Sequence, residues 1–170
     1  MRARRAKVAD AGAIFELIAQ YAEQGLLLPR AENEIRRNIG HFLVHEEKKR
    51  VVSCVALEEY GPDLAEIRSL AVAPELRRRG AGANLLLFAL EEACARGIAR
   101  VFAVTHAPDF FARQGFAPAS RQSLTEKIER DCRECSKRRT CQLTAVVATV
   151  IPERIAFPIL GDSATPVSAA

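Results

Sequence analysis

A strand that runs into a glycine-bearing basic loop and then an amphipathic helix admits few folds, and residues 63–97, DLAEIRSLAVAPELRRRGAGANLLLFALEEACARG, have that form. Leu64 to Val72 reads as the strand, with Glu66, Arg68 and Leu70 on one face because side chains alternate with a period of two. Two opposite charges in so apolar a strand need a partner or a task. The helix starts at the glycines, sets Leu86, Leu90 and Ala93 along its buried stripe, and is closed by Gly97. Between strand and helix stands Arg77-Arg78-Arg79-Gly80-Ala81-Gly82. Glycines let backbone approach a ligand closely, and first-turn N–H groups beside three guanidinium groups favour phosphate, so the loop reads as a cradle for a diphosphate. It lacks the Lys-Ser/Thr ending of a Walker loop and the G-x-G-x-x-G spacing of dinucleotide folds, which argues against ATP and NAD. A solvated basic turn is the plainer alternative.

The flanking chain predicts more strands than helices. Residues 3–8 form a short first strand, and Asp10 caps a helix whose buried stripe is Ile14, Leu17, Ile18 and Tyr21, ended by Gly25. The apolar loop GLLLPR follows, with Arg30 at its exit, and a second helix sets Ile35, Ile39 and Phe42 at i, i+4, i+7. Strands near 42–45 and 51–58 make a hairpin across EEKKR, although no Asn-Gly marks the turn. Arg100 to Thr105 is a buried strand, Pro108 to Arg113 a short helix stopped by Gly115, and Ala145 to Ile151 a β-branched run that returns to the sheet. Several antiparallel strands followed by strand, helix, strand predict an α/β fold with a mixed sheet. One domain over residues 1–151 is expected, with 119–142 a polar, cysteine-bearing peripheral segment and 152–170 a loosely held tail.

Composition narrows the partners. A net charge of +4, with 49% hydrophobic and 27% charged residues, fits one globular domain with an anionic ligand and does not call for nucleic acid. No apolar run approaches the about 20 residues of a membrane span, and the N-terminus has no apolar signal core, so a cytoplasmic protein with reduced cysteines is expected.

Arg77-x-x-Gly80-x-Gly82 after a strand ending Leu70-Ala71-Val72, with Gln114-Gly115-Phe116 behind the next strand, resembles the acetyl-CoA signature of the GNAT acetyltransferase superfamily over roughly residues 4–150. Within it, EQGLLLPRAENEI is similar to the acetyltransferase domain of N-acetylglutamate synthases, in the short bacterial form without an amino-acid kinase domain. The resemblance implies a mostly antiparallel sheet flanked by helices, whose central parallel strands splay apart to admit acetyl-CoA. It implies Glu66 as a general base acting through water, the alternative being an ion pair with Arg68. The main chain of Leu70, Ala71 and Val72 would pair with the pantetheine arm and polarise the thioester. Arg77, Arg78, Arg79, Gly80, Ala81 and Gly82 would bind the diphosphate. Phe111 stands where many relatives carry a tyrosine that protonates the leaving thiolate, and phenylalanine has no such proton. Both phenylalanines, Phe110 and Phe111, read as core and cofactor-wall packing. Arg30 and Arg68 would hold the carboxylates of the acceptor, with a surface arginine and a buried ion pair as the respective alternatives. Thr105 would hydrogen-bond substrate or cap its strand. The implied reaction is acetylation of the α-amino group of L-glutamate, the first step of arginine synthesis. Another small amine, a peptide N-terminus, or a non-catalytic acyl-CoA-binding module are the alternatives, and a homodimer is the assembly many relatives form.

Cys132-x-x-Cys135 with Cys141 has chelate spacing, yet three thiolates fall short of the four ligands of a closed zinc site, and no metal is assigned. A labile disulfide or reduced thiols are the alternatives, and Lys137, Arg138 and Arg139 keep a small nucleic-acid-contacting knuckle in view. Cys54 and Cys94 read as core residues, and His41 and His45 as surface or strand-edge ones.

Overall fold

The computed structural model describes residues 1–135 and 141–150. Among them seven strands form one sheet: Arg2–Arg5 (β1), Phe42–Glu47 (β2), Arg50–Glu59 (β3), Leu64–Val72 (β4), Arg100–Thr105 (β5), Ala117–Ala119 (β6) and Thr144–Thr149 (β7). Their order in space is β1-β2-β3-β4-β5-β7-β6, and each neighbouring pair is antiparallel except β4 and β5. Alternation along each strand sends successive residues to opposite faces. Leu43, Val55, Leu57, Ala65 and Ile67 pack on Leu85, Leu86, Ala89 and Ala93 of the helix Ala81–Ala95 (α3). Val44, Cys54 and Ala56 pack on the other side, against Ile14 and Ile18 of Ala11–Glu23 (α1) and Ile35 of Glu32–Arg37 (α2). The mixed sheet flanked by helices is the predicted one.

The connections show why the chain turns where it does. Lys48 and Lys49 both adopt positive φ, at 48° and 64°, so a two-residue turn joins β2 to β3 without glycine. Asp10 begins α1 but does not cap it as expected; its Oδ2 accepts the Lys7 N–H at 2.7 Å and an Arg4 Nη1–H at 2.7 Å. The second helix is shorter than predicted: it ends at Arg37, and Phe42, assigned to its stripe, opens β2 instead. His45 is buried and bonded through Nδ1 to Ser53 Oγ at 3.0 Å, not a surface residue. Residues 119–135 carry more regular structure than their polarity suggests. Thr125–Lys127 (α5) runs into a π-helical turn, Ile128–Cys132, anchored where Leu124 buries itself against Leu64, Phe102 and Ala145. The expected tail from 152, and Lys137, Arg138 and Arg139, lie outside the described residues.

The β4–β5 pair positions the site. Its register runs Leu64↔Arg100, Ala65↔Val101 and Glu66↔Phe102 and then stops, although β4 continues to Val72 and β5 to Thr105. Beyond Glu66 the two strands are unpaired, so main-chain groups on that side of β4 face a gap.

Candidate active site

The far end of β4 and the start of α3 build the cradle. Gly80, the residue before α3, has φ +79°, and Arg78 has φ +61°, which turn the loop sharply into the helix. The first intrahelical bond runs from the Asn84 N–H to the Gly80 carbonyl, so the N–H groups of Ala81, Gly82 and Ala83 precede the helical ladder, as every helix start leaves its first donors. Two of the predicted residues turn their N–H back into the loop, Arg77 to the Pro74 carbonyl at 3.2 Å and Arg79 to the Leu76 carbonyl at 3.3 Å. A Cβ added at Gly82 would stand 3.5 Å from Val72 and 3.7 Å from the Phe110 ring, ordinary contact distances, so the helix start lies beside β4 and Pro108–Ala112 (α4) with room for a methyl group. Phe111 is buried, edge-on to Phe110 and Phe116 at 5.2 and 5.1 Å between centroids, and serves as packing.

The open edge of β4 already carries one side chain. The Ala73 N–H bonds to Val52 on β3, so by alternation Val72 and Leu70 turn their amides to the gap. The hydroxyl of Tyr21 sits on that edge, donating to the Val72 carbonyl at 2.7 Å, accepting the Val72 N–H at 3.3 Å and accepting Arg77 Nε–H at 3.0 Å. Sequence reasoning placed Tyr21 on a buried stripe; a phenol at the last turn of a helix gives no sign that its tip reaches a strand edge.

Leu70 corrects a second expectation. Cys54 pairs with Ala71 and Ala56 with Arg68, so Ser69 and Leu70 oppose Val55 alone, and Ser69 has φ +52°. This bulge reverses the phase of the strand. Leu70 therefore packs with Ile67 on the α3 side, while Glu66 and Arg68 remain on the α1–α2 side.

On that side a charged network fills the face. Glu58 on β3 lies directly opposite Glu66 on β4, an arrangement that repels unless cations intervene. Arg30 Nη2 donates to Glu58 Oε1 at 2.6 Å, and Arg68 Nη1 and Arg130 Nη2 donate to Oε2 at 2.8 and 2.7 Å. Burial alone would raise the Glu58 carboxyl; the Arg30 hydrogen bond and the Arg68 charge outweigh it and hold it down at about 2. Glu66, 3% exposed, accepts from Tyr60 Oη at 2.7 Å and Lys127 Nζ at 2.8 Å, with Arg68 Nε at 3.7 Å. Burial and the Glu66 charge raise the Tyr60 phenol well above its usual range, so it stays a donor. Arg30 donates a second bond to Glu34 at 2.9 Å and lies over the Phe42 ring.

Three of the predicted residues, Glu66, Arg68 and Arg30, are thus brought together around one pair of acids. Thr105 is not placed among them by any contact: its Oγ1 accepts the Ala107 N–H at 3.0 Å, the strand-end cap. Tyr60, Glu58, Lys127, Arg130 and Asp131 were missed. The i, i+4 pair Lys127 and Asp131 was the available signal, but a charged helical pair in a polar segment reads as a solvated face. Among the described residues no group of His, Cys, Asp and Glu could hold a metal ion. Cys141 instead accepts from Arg121 Nη2 at 2.7 Å, and burial pushes the Cys54 thiol up to about 12. No helix among the described residues is long and apolar enough to cross a membrane.

Residues 12–116 match the Acetyltransferase (GNAT) family. An uncharacterized N-acetyltransferase of Chlorobaculum tepidum is 38% identical over 147 residues, covering 86% of this chain and 95% of its own. The amino-acid acetyltransferase of Neisseria meningitidis serogroup A is 35% identical over 132 residues, 76% of this chain but 30% of its own length. Among solved structures, N-acetylglutamate synthase from Neisseria gonorrhoeae, complexed with coenzyme A and N-acetyl-glutamate, superposes with a TM-score of 0.81 at 30% identity, over 88% of this chain and 35% of that one. The chain therefore spans about a third of the length of the amino-acid acetyltransferases it resembles. Together with the splayed strand pair and the glycine-opened helix start, the match shows that the chain belongs to the acetyltransferase (GNAT) family and is an acetyl-CoA-dependent N-acetyltransferase.

Proposed function

We propose that the chain acetylates the α-amino group of a dicarboxylic amino acid, L-glutamate, giving N-acetyl-L-glutamate. The observation that carries this reading is Arg68 beside Glu66 on the face of β4 that borders the splay, with Glu58 shared between Arg68 and Arg30 next to them. An acceptor with two carboxylates needs fixed cations, and planar guanidinium groups match a carboxylate in two-point geometry. The gonococcal structure, whose ligand is N-acetyl-glutamate, supports the same substrate class.

In this mechanism the N–H groups of Ala81 and Gly82, with the side chains of Arg77, Arg78 and Arg79, hold the diphosphate of acetyl-CoA, which supplies the activated acetyl group. The Leu70 N–H, or the Val72 N–H once it leaves the Tyr21 hydroxyl, polarises the thioester carbonyl as negative charge gathers on its oxygen. Glu66 takes the ammonium proton of the acceptor through a water, which frees the lone pair that attacks. Tyr60, held protonated, and Lys127 fix the Glu66 carboxylate through its Oε2 and leave Oε1 as the acceptor for that water. With phenylalanine at 111, the departing thiolate takes up a proton that originates on the acceptor's own ammonium. Arg30 acts chiefly by holding Glu58, and through it Arg68, in place.

The test is the initial rate of coenzyme A release from acetyl-CoA across the twenty amino acids and an N-terminal peptide. Glutamate is expected to have the highest kcat/KM. A flat profile, or preference for the peptide, overturns the assignment.

A further inference from the structure

The cations facing the proposed acceptor site are already bound to the protein's own carboxylates, and one of these carboxylates is held unlike the others. Glu58 and Glu66 stand on paired strands of the sheet, opposite one another, and cannot leave. Asp131 arrives from the π-helical turn of the peripheral segment. Its Oδ2 accepts from Tyr60 Oη at 2.5 Å, Lys127 Nζ at 2.6 Å and Arg68 Nη1 at 3.4 Å, and its Oδ1 accepts Arg130 Nε–H at 3.2 Å. Its side chain is 25% exposed, whereas that of Glu66 is 3% exposed.

A carboxylate taking donors from a phenol, an ammonium and two guanidinium groups is bound as a ligand carboxylate is bound. The phenol has one hydrogen and two carboxylate neighbours, Glu66 and Asp131, so it can fully satisfy only one at a time. The segment that carries Asp131 is tied to the sheet by few apolar groups, chiefly Leu124, and otherwise by these polar contacts. Its π-helical turn is a rare conformation, of the kind found at functional sites.

We propose that Asp131 is an internal stand-in for an acceptor carboxylate: it occupies Arg68, Lys127 and Tyr60 when no acceptor is present, and a carboxylate of the incoming amino acid displaces it. The inference rests on the dicarboxylic reading above and deepens it. Displacement sets acceptor affinity, because part of each acceptor's binding free energy is spent releasing the stand-in. It sets specificity too, since an amine without a carboxylate has nothing to offer Arg68 and Lys127 in exchange. Before displacement Lys127 divides its hydrogen bonds between Asp131 and Glu66, and the exchange keeps the cationic cluster neutralised throughout.

The experiment is calorimetric titration of glutarate, a dicarboxylate without a reactive amine, into wild type, Asp131→Asn and Asp131→Glu proteins saturated with coenzyme A. The asparagine variant is expected to bind roughly tenfold tighter than wild type, as when a competent state held to about a tenth of the population becomes the main one. The glutamate variant, which keeps a carboxylate, is expected to stay near wild type. With glutamate as acceptor the asparagine variant should show a lowered KM, the opposite of what loss of a merely structural ion pair would bring. Equal or weaker glutarate binding by a folded asparagine variant overturns the displacement and leaves the dicarboxylic reading standing. Absence of heat in all three proteins overturns both. Should the asparagine variant not fold, hydrogen exchange in the wild-type protein decides: amides of 128–135 exchange faster on adding glutarate if Asp131 is released, and unchanged or slower exchange overturns the proposal.

Discussion

Glu58 and Glu66 face each other across two strands, and the account of the site turns on what keeps that pair tolerable. Cations stand against both: Glu58 meets Arg30, Arg68 and Arg130, and Glu66 meets Lys127. The consequence for Glu58 is a pH dependence with a definite sign. Its carboxyl titrates near about 2 in the folded chain against a usual 4.5, so the stabilisation it contributes is present above about pH 4.5 and lost as the pH falls through 2. The urea midpoint of unfolding should drop across that window, and Glu58→Gln should flatten the drop. An acid profile identical in the two proteins would show that the pair contributes nothing. At this scale the sequence was legible where chemistry is local. Glu66 and Arg68, two charges in an apolar strand, announce themselves, whereas Glu58 and Tyr60 acquire a role only when β3 is laid beside β4.

Among the elements, the β4–loop–α3 unit was the most legible, because a strand, a glycine with positive φ and an amphipathic helix are each specified by neighbours in the chain. The bulge at Ser69 was not, since it depends on pairing with Val55, and it moves Leu70 to the opposite face from the one simple alternation assigns. The segment 125–132 was missed for a similar reason: Lys127, Arg130 and Asp131 reach a charged sheet that only the fold lays beside them, while Thr125, Glu126 and Glu129 face water as the polar sequence suggests. The cradle itself makes a prediction. Alanine at Gly82 is favoured over glycine inside a helix by about 1 kcal/mol, so Gly82→Ala should not lower the melting temperature. Its methyl group points toward Val72 and Phe110 at the mouth of the cradle, so the KM for acetyl-CoA should rise roughly tenfold, or about 1.4 kcal/mol of binding. An unchanged KM would place the diphosphate elsewhere.

Over the whole molecule, one sheet carries two working faces of a single strand. The β4 edge beyond Glu66 is left unpaired by β5, and the α1–α2 face of the same strand holds the charged network, so the proposed function has donor and acceptor meet at the strand where the pairing stops. The splay itself was implied by family resemblance and could not be read from local sequence, because it is a property of two strands separated by α3. Filling the gap should stabilise the fold. At one hundred times its Kd, coenzyme A contributes about 2.7 kcal/mol, a rise in melting temperature of roughly 5–10 °C for a domain of this size. No rise at saturating coenzyme A would mean that the gap is not its site. The most direct test of the central claim, that chemistry occurs on the Glu66 face, is the steady-state rate of Glu66→Gln with glutamate at saturating acetyl-CoA. The account predicts kcat lowered by about 10²–10⁴ with the KM for acetyl-CoA unchanged; a kcat within a few-fold of wild type would contradict it.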